Sequence, residues 1–343
     1  MIDTALAIRS EETKPDFATS AVNLASPRLG ASVISVSDEF FAPRERMLDD
    51  TPPVFYPDRY DENGKWMDGW ETRRRRGGGN DHCIVELGAK GIISGFDLNT
   101  RFFTGNHPPR AKIEAALSGT LPDQSTEWVE LVPESELNPD SPNLFQAQND
   151  QPFNYLRLNI YPDGGVARFR VWGAPVCEWK LQDPSGHYEL SAIINGGRVV
   201  GYNDAHYGDP WVILTPGRGQ NMGDGWETRR RREPGNDWIV VALGAAGNVK
   251  KVEVDTAHFK GNYPDRCSIQ AARLENTSDE DILVDCENWP EIMPEQKLQM
   301  DHIHTFEGDA LSAAGAMTHV RLNIYPDGGV SRLRIFGTLE QED

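Results

Sequence analysis

Positive charge is in short supply: 34 Lys and Arg stand against 53 Asp and Glu in 343 residues, a formal net charge of −19 with a pI near 4.8. Phosphate recognition needs a positive footprint, so nucleic acid is not expected as a partner. Long apolar runs are missing as well. No window approaches about 18 consecutive apolar residues, which excludes a membrane-spanning helix. Cysteine is scarce, and Cys83, Cys177, Cys267 and Cys286 lie at irregular spacings without a CxxC, which reads as reduced, structural thiols. Residues 1–17 contain no basic segment leading into an apolar one, and Leu339–Asp343 is not a peroxisomal signal, so a cytoplasmic protein is expected. GxSxG, HExxH, Walker and GxGxxG patterns are absent, which removes the usual signatures of serine hydrolases, zincins and nucleotide enzymes. What remains is an ordinary globular balance, 38% hydrophobic and 25% charged, which argues against wholesale disorder.

The chain is written twice. Asp68–Arg76 recurs as Asp224–Arg232, and over 68–82 the identity at that offset of 156 is 12 of 15 positions, too many for chance. The register continues through Leu87-Gly88 onto Leu243-Gly244, Phe103 onto Phe259, Gly105-Asn106 onto Gly261-Asn262, and Arg110 onto Arg266. Arg157–Val166 returns as Arg321–Val330 at an offset of 164, so the second copy carries eight additional residues between the blocks. A unit of about 160 residues is a whole domain rather than a solenoid repeat. Two domains are therefore expected, 21–180 and 187–343. Residues 174–190, with Pro175, Pro184, Ser185 and Gly186, read as the linker, and residues 1–20 as a loose arm that can also wrap a neighbour.

Each unit reads as short strands: 33–36, 84–87, 96–98, 113–116 and 128–131 in the first copy, and 199–200, 239–243 and 252–254 in the second. In Leu156–Tyr161 the residues Leu156, Leu158 and Ile160 share one face, with Arg157, Asn159 and Tyr161 on the other. Pro162–Gly165 has hairpin chemistry, with 166–171 as the return strand. Helical stripes are scarce, while 32 Gly and 23 Pro suit many turns. The fold class is all-β, two sandwiches or jelly rolls in tandem.

The shared polar stretches are the candidates for function. If residues 70–76 are extended, Trp70, Thr72 and Arg74 share one face, and Glu71, Arg73 and Arg75 the other. Guanidinium forks fit planar anions, so arginines beside Glu71 suit a small acidic substrate; the alternative is that they pair with the surplus carboxylates and hold the strand. Asn80-Asp81 and Asn236-Asp237 read as turn formers. The loops 103–110 and 259–266, rich in Gly, Asn and Pro and ending in Arg110 and Arg266, place polar side chains at a sandwich rim. His206 aligns with Phe40, His82 with Trp238 and His107 with Tyr263, so the copies are not chemically equivalent. His302 and His304 would share a strand face, a metal pair without a third ligand nearby.

Taken together, Ser35–Pro43, Gly69–Arg74, Ala205–Gly208, Pro216–Arg230, Phe259–Pro264 and the closing Arg-Leu-Asn-Ile-Tyr-Pro-Asp-Gly-Gly of both copies resemble the allantoicase family, whose chains consist of two allantoicase repeats. The resemblance covers about Gly30 to Gly337. It implies jelly rolls like those of galactose-binding and discoidin modules, hydrolysis of allantoate to ureidoglycolate and urea in allantoin and purine breakdown, and a homo-oligomer. No cofactor is evident; a divalent metal is allowed for but assigned to no residue. The sequence departs in loop detail: Asn203-Asp204 stands where the first copy has Ser37-Asp38, and Trp211 follows Gly208-Asp209-Pro210.

Allantoate carries one carboxylate and two ureido groups on a single carbon. Losing urea needs an acid for the departing nitrogen, a base for water, and clamping that decides which ureido group leaves. On this expectation Arg73, Arg74, Arg229 and Arg230 take the carboxylate, with Arg110 and Arg266 at the same rim, and Asn106 or Asn262 binds ureido oxygen. Glu71 or Glu227, with Asp68 or Asp224, are the acid and base candidates, and His206 is another. The competing class is a sandwich that binds a small ligand without catalysis, which would present an exposed aromatic platform instead of this Arg, Glu and Asp content.

Overall fold

A computed structural model describes residues 7–11, 13–19, 21–179 and 186–340, and the chain divides into two units, 1–176 and 177–343. In the first unit the organising element is β4 (Asp81–Asn99), 19 residues that alternate buried and half-buried over most of their length. Its first half pairs antiparallel with β8 (Pro152–Tyr161) and β2 (Ser32–Val36). Its second half pairs with β10 (Arg168–Pro175) and β7 (Leu144–Gln146). Outside β8 lie β5 (Arg110–Ala116) and then β6 (Val129–Glu136), while β1 (Val22–Asn23) borders β10. One long strand thus serves both layers of a jelly-roll sandwich. Strands 84–87 and 96–98, expected as separate, are stretches of this one strand.

The core lies between the layers. Leu156, Leu158 and Ile160 point inward from β8, as their alternation requires, on the same buried face as their strand neighbours Val85, Cys83 and Ile113. Phe96 and Phe169 stack at 6.0 Å. Pro162–Gly165 does not make a hairpin. β8 and β10 are not neighbours, because β4 lies between them; the turn carries the chain across β4 and leaves a two-residue strand, β9 (Gly165–Val166), against β3 (Trp70–Glu71). The extended Trp70–Arg76 edge is likewise shorter than expected. Only Trp70 and Glu71 pair, and although Trp70 and Thr72 are buried, Arg74 is exposed.

The second unit repeats the plan with β11 (Tyr188–Glu189), β12 (Arg198–Tyr202), β13 (Trp226–Glu227), β14 (Asp237–Asp255), β15 (Arg266–Ala272), β16 (Glu291–Lys297), β17 (Ile303–Glu307), β18 (Ala316–Tyr325), β19 (Gly329–Val330) and β20 (Arg332–Leu339). β14 is again 19 residues and absorbs both 239–243 and 252–254. The longer β15–β16 connection holds α1 (Asp279–Asp285), whose Ile282 packs with Val240, Cys286 and Trp289. Ser278 caps α1 by accepting from the Asp281 amide, and three acidic residues in its first turn complement the helix dipole.

Among the described residues of the expected arm, the chain is not loose: Ile8–Arg9 pairs with Val54–Phe55, and Ala18 is fully buried. Residues 1–6, 12 and 20 of that arm, and 180–185 of the expected linker, lie outside the described residues. Cys83, Cys267 and Cys286 are free thiols, and burial pushes the Cys267 thiol up to about 12. Among the described residues no helix is long and apolar enough to cross a membrane.

Candidate active site

In each unit the site starts from a buried tryptophan. Trp70 is fully buried and its indole N–H donates to the Asp38 carbonyl at 2.8 Å; Trp226 does the same to Asp204, also at 2.8 Å. This fixes the two-residue strand, so the next residue, Glu71 or Glu227, emerges half-buried at the rim. The following threonine closes the other side. The Thr72 hydroxyl accepts from the Gly164 amide at 3.1 Å, and Thr228 from Gly328 at 3.1 Å. Gly164 and Gly328 have φ of 147° and 140°. A Cβ on Gly164 would lie 2.5 Å from the Pro108 nitrogen, so only glycine lets the 103–110 loop rest there.

That loop delivers an amide to the glutamate. Asn106 accepts from the Gly165 amide through its carbonyl at 2.8 Å, and its Nδ2 donates to Glu71 Oε1 at 2.7 Å. Asn262 bonds Glu227 in the same way. Burial raises the Glu71 carboxyl above its usual range, and the Asn106 bond only partly opposes it.

The arginines that follow alternate in fate. Arg73 donates to Asp38 through Nε at 2.8 Å and pairs with it through Nη2 at 2.6 Å, while the Arg73 amide donates to the same carboxylate at 2.9 Å. Arg229 is held identically by Asp204, with Nη2 at 2.7 Å. Burial alone would raise Asp38, but the bonds from Arg73 outweigh it and the carboxyl is lowered; at Asp204 the bond from Arg229 dominates, with the same result. Two positions on, Arg75 pairs with buried Asp81 at 3.3 Å and Arg231 with buried Asp237 at 2.7 Å. Their amides donate to Asp163 and Asp327. The intervening Arg74, Arg76, Arg230 and Arg232 are exposed and form no ion pair among the described residues. In the second unit the four guanidiniums, with Asn203, Asp204, Glu233 and Asp237, line a basin of about 530 Å³.

The remaining sequence candidates fall in several places. Asp68 and Asp224 lie beneath the rim, not at it: Asp68 pairs with fully buried Arg168 at 2.7 Å and accepts from the Val54 amide, and Asp224 pairs with Arg332 at 2.9 Å. Arg110 and Arg266 pair with Glu134 and Glu295 and lie over Tyr161 and Tyr325 at 5.9 and 5.8 Å. His206 is exposed, and its backbone amide donates to the Glu227 carbonyl at 2.8 Å, the bond that Phe41 makes to Glu71. It therefore takes the place of Phe41 rather than Phe40, because the second copy is one residue shorter between Asp204 and Tyr207 than the first between Asp38 and Ala42. His304 does not form a metal pair with His302. Its Nε2 accepts from the Gln299 amide at 2.7 Å and its Nδ1 bonds the Val254 carbonyl at 3.0 Å, so both nitrogens are committed. Among the described residues no group of three His, Cys, Asp or Glu is placed to hold a metal ion.

Sequence reasoning missed the carboxylates that organise the arginines. Asp38, Asp204, Asp81 and Asp237 were legible only as loop and turn residues; the available signal was that each recurs in both copies of a chain whose arginine run needs counter-charge.

The architecture is that of a tandem β-sandwich protein in which each unit carries a half-buried glutamate bonded to an asparagine amide and, two residues further along the chain, an arginine held by an aspartate. The family model for the allantoicase repeat matches residues 22–176 and again 188–340. The chain is 54% identical over 333 residues to probable allantoicase 1 of Burkholderia mallei, covering 97% of this chain and 98% of that protein. It is 53% identical over 327 residues to the probable allantoicase of Ralstonia nicotianae, covering 95% and 97%. The crystal structure of allantoicase from Saccharomyces cerevisiae matches with a TM-score of 0.77 at 35% identity over 93% of both chains. The chain belongs to the allantoicase family.

Proposed function

We propose that this protein is a hydrolase that splits allantoate into ureidoglycolate and urea, in allantoin and purine breakdown. The observation that carries the chemistry is the glutamate–asparagine pair at the rim of each repeat, Glu71 with Asn106 and Glu227 with Asn262. In the reaction a water oxygen bonds the central carbon and the C–N bond to one ureido group breaks with its electron pair on nitrogen. The water gives up a proton and the departing nitrogen gains one, releasing urea. Glu71, with its raised pKa, is suited to hold and deliver a proton. Glu227, or the exposed His206 beside it, is the counterpart in the second repeat. Asn106 and Asn262 orient the carboxyls and bind ureido oxygen.

Arg74 and Arg230 are the open cations for the substrate carboxylate, with Arg73 and Arg229 held beside them by Asp38 and Asp204. Arg110 and Arg266, at the start of β5 and β15, are held by Glu134 and Glu295 and are secondary candidates for the substrate carboxylate. The buried pairs Asp68–Arg168 and Asp224–Arg332 fix the strand on which the glutamates sit, a positioning role rather than proton transfer. The domain spans 21–180 and 187–343, a cytoplasmic setting and a homo-oligomer belong to the same reading. The experiment is urea release from allantoate by the purified chain, with and without chelator. Binding without release would make it a non-catalytic sandwich, and loss with chelator would reveal a metal requirement.

A further inference from the structure

Arg321, on β18, is a buried cation without a counter-charge. It is 7% exposed, yet it makes no hydrogen bond and no ion pair among the described residues. Its Nε is buried and unpartnered, and its guanidinium lies over the Trp238 ring at 4.9 Å. An arginine is seldom this buried unless paired, because the interior returns neither the water nor the opposite charge it gives up.

The first unit shows what is missing. There the equivalent Arg157 donates to Glu114 through Nε at 2.8 Å and pairs with the same oxygen through Nη2 at 2.7 Å. Asn159 donates to that oxygen too, at 2.9 Å. In the second unit the residue opposite Arg321 is Gln270, which the offset of 156 places on Glu114. Gln270 is committed elsewhere: its Nε2 donates to the Glu287 and Trp289 carbonyls at 2.9 and 2.8 Å, and its Oε1 accepts from Asn323 at 2.9 Å. The second copy thus has the arginine and the asparagine of the first and lacks the carboxylate.

The segment that α1 opens covers this face. Ile282, Cys286 and Trp289 pack with Val240, the register partner of Arg321, and with Trp238. Trp289 is 5% exposed, and its indole N–H is also without a partner. Both unmet groups are donors, so what this face lacks is an acceptor.

We infer that the second unit binds a compact, planar, singly charged oxyanion at Arg321, in the role that the Glu114 carboxylate fills in the first unit. Planarity follows from the guanidinium fork, which meets a flat oxyanion through parallel N–H bonds. Small size follows from the burial of Arg321 and Trp289. Single charge follows from Asp279, Glu280, Asp281, Asp285 and Glu287, in and just after α1, which repel anything more negative. The Arg321 Nη groups, unlike Nε, are not sealed, and the anion enters at that edge. Formate and bicarbonate share this chemistry. None of these residues takes part in the proposed reaction.

The test is thermal unfolding of the intact chain as sodium formate replaces sodium chloride at constant ionic strength and pH. The parent is expected to melt higher as formate rises, with the effect saturating, since a ligand that binds only the folded state stabilises it. Arg321→Met keeps an apolar side chain over Trp238 and removes the charge. Gln270→Glu supplies the carboxylate of the first unit and occupies the site from within. In each, the formate-dependent rise should shrink at least threefold. Arg321→Met decides if it gives a parent-like circular dichroism spectrum and a cooperative melt; otherwise Gln270→Glu decides. No rise in the parent, or a rise of equal size in the deciding variant, overturns the inference.

Discussion

Asn106 donates its side-chain amide to Glu71 Oε1 at 2.7 Å across 35 residues of chain, and Asn262 repeats the bond to Glu227. An amide fixed this way sets which carboxyl oxygen faces outward. Replacing the acid with its own amide, Glu71→Gln and Glu227→Gln separately, preserves shape and removes proton transfer. At least one variant should lose about 100-fold or more in kcat, in line with general acid–base contributions. Full turnover by both, with unchanged melting, would remove the glutamates from the mechanism.

The raised pKa of Glu71 has a consequence for stability whose sign is fixed. The folded chain keeps the Glu71 proton above 4.5, the ordinary value, so proton binding at this residue favours folding at low pH and the benefit is lost as pH rises through the raised folded value. Glu71→Gln should therefore melt progressively higher than the parent as pH climbs above 4.5, with the gap closing below it. A gap independent of pH would show that burial does not load this carboxyl.

Asp204 titrates in the opposite sense. Its folded pKa is depressed below 3.8 by Arg229, so its contribution is present above 3.8 and disappears as pH falls through the lower folded value. The melting difference between the parent and Asp204→Asn should be present at neutral pH and shrink in that acid window. Added salt should weaken it too, since the Arg229 side chain is 70% exposed.

Removing one partner of a buried pair leaves the other charged and alone. Arg168 is fully buried against Asp68, so Arg168→Met should destabilise the first unit by about 3–5 kcal/mol. The double change Arg168→Met with Asp68→Leu should recover part of the loss in a denaturant titration. Failure of the second change to restore anything would argue that packing, not charge, is what the arginine supplies.

The duplication and the all-β class were legible because period-two alternation and repeated polar loops are local signals, as in Leu156, Leu158 and Ile160. Connectivity was not. Pro162–Gly165 has every residue of a tight hairpin, yet its strands are separated by β4, and no local pattern reports which strand fills the gap between two others. The glutamates and asparagines stood out because they recur in both copies; the aspartates that clamp Arg73, Arg75, Arg229 and Arg231 come from 6 to 35 positions away, and their pairing is a product of the tertiary fold. His206 was displaced by one position because a single missing residue in its loop is invisible until the backbone bonds to Glu227 are traced.

The Gly164-Gly165 and Gly328-Gly329 seats determine how these rims can change over time. A loop resting on bare backbone leaves no side chain underneath to be tuned, so variation in ligand choice must come from the landing segment or from the facing arginine edge. The two copies have diverged in those places: Asn106 and Asn262 are kept, while their neighbours His107 and Tyr263 have parted, as have Gly77-Gly78 and Glu233-Pro234. A duplicated scaffold with an uneditable floor keeps its frame constant and diversifies at the lip.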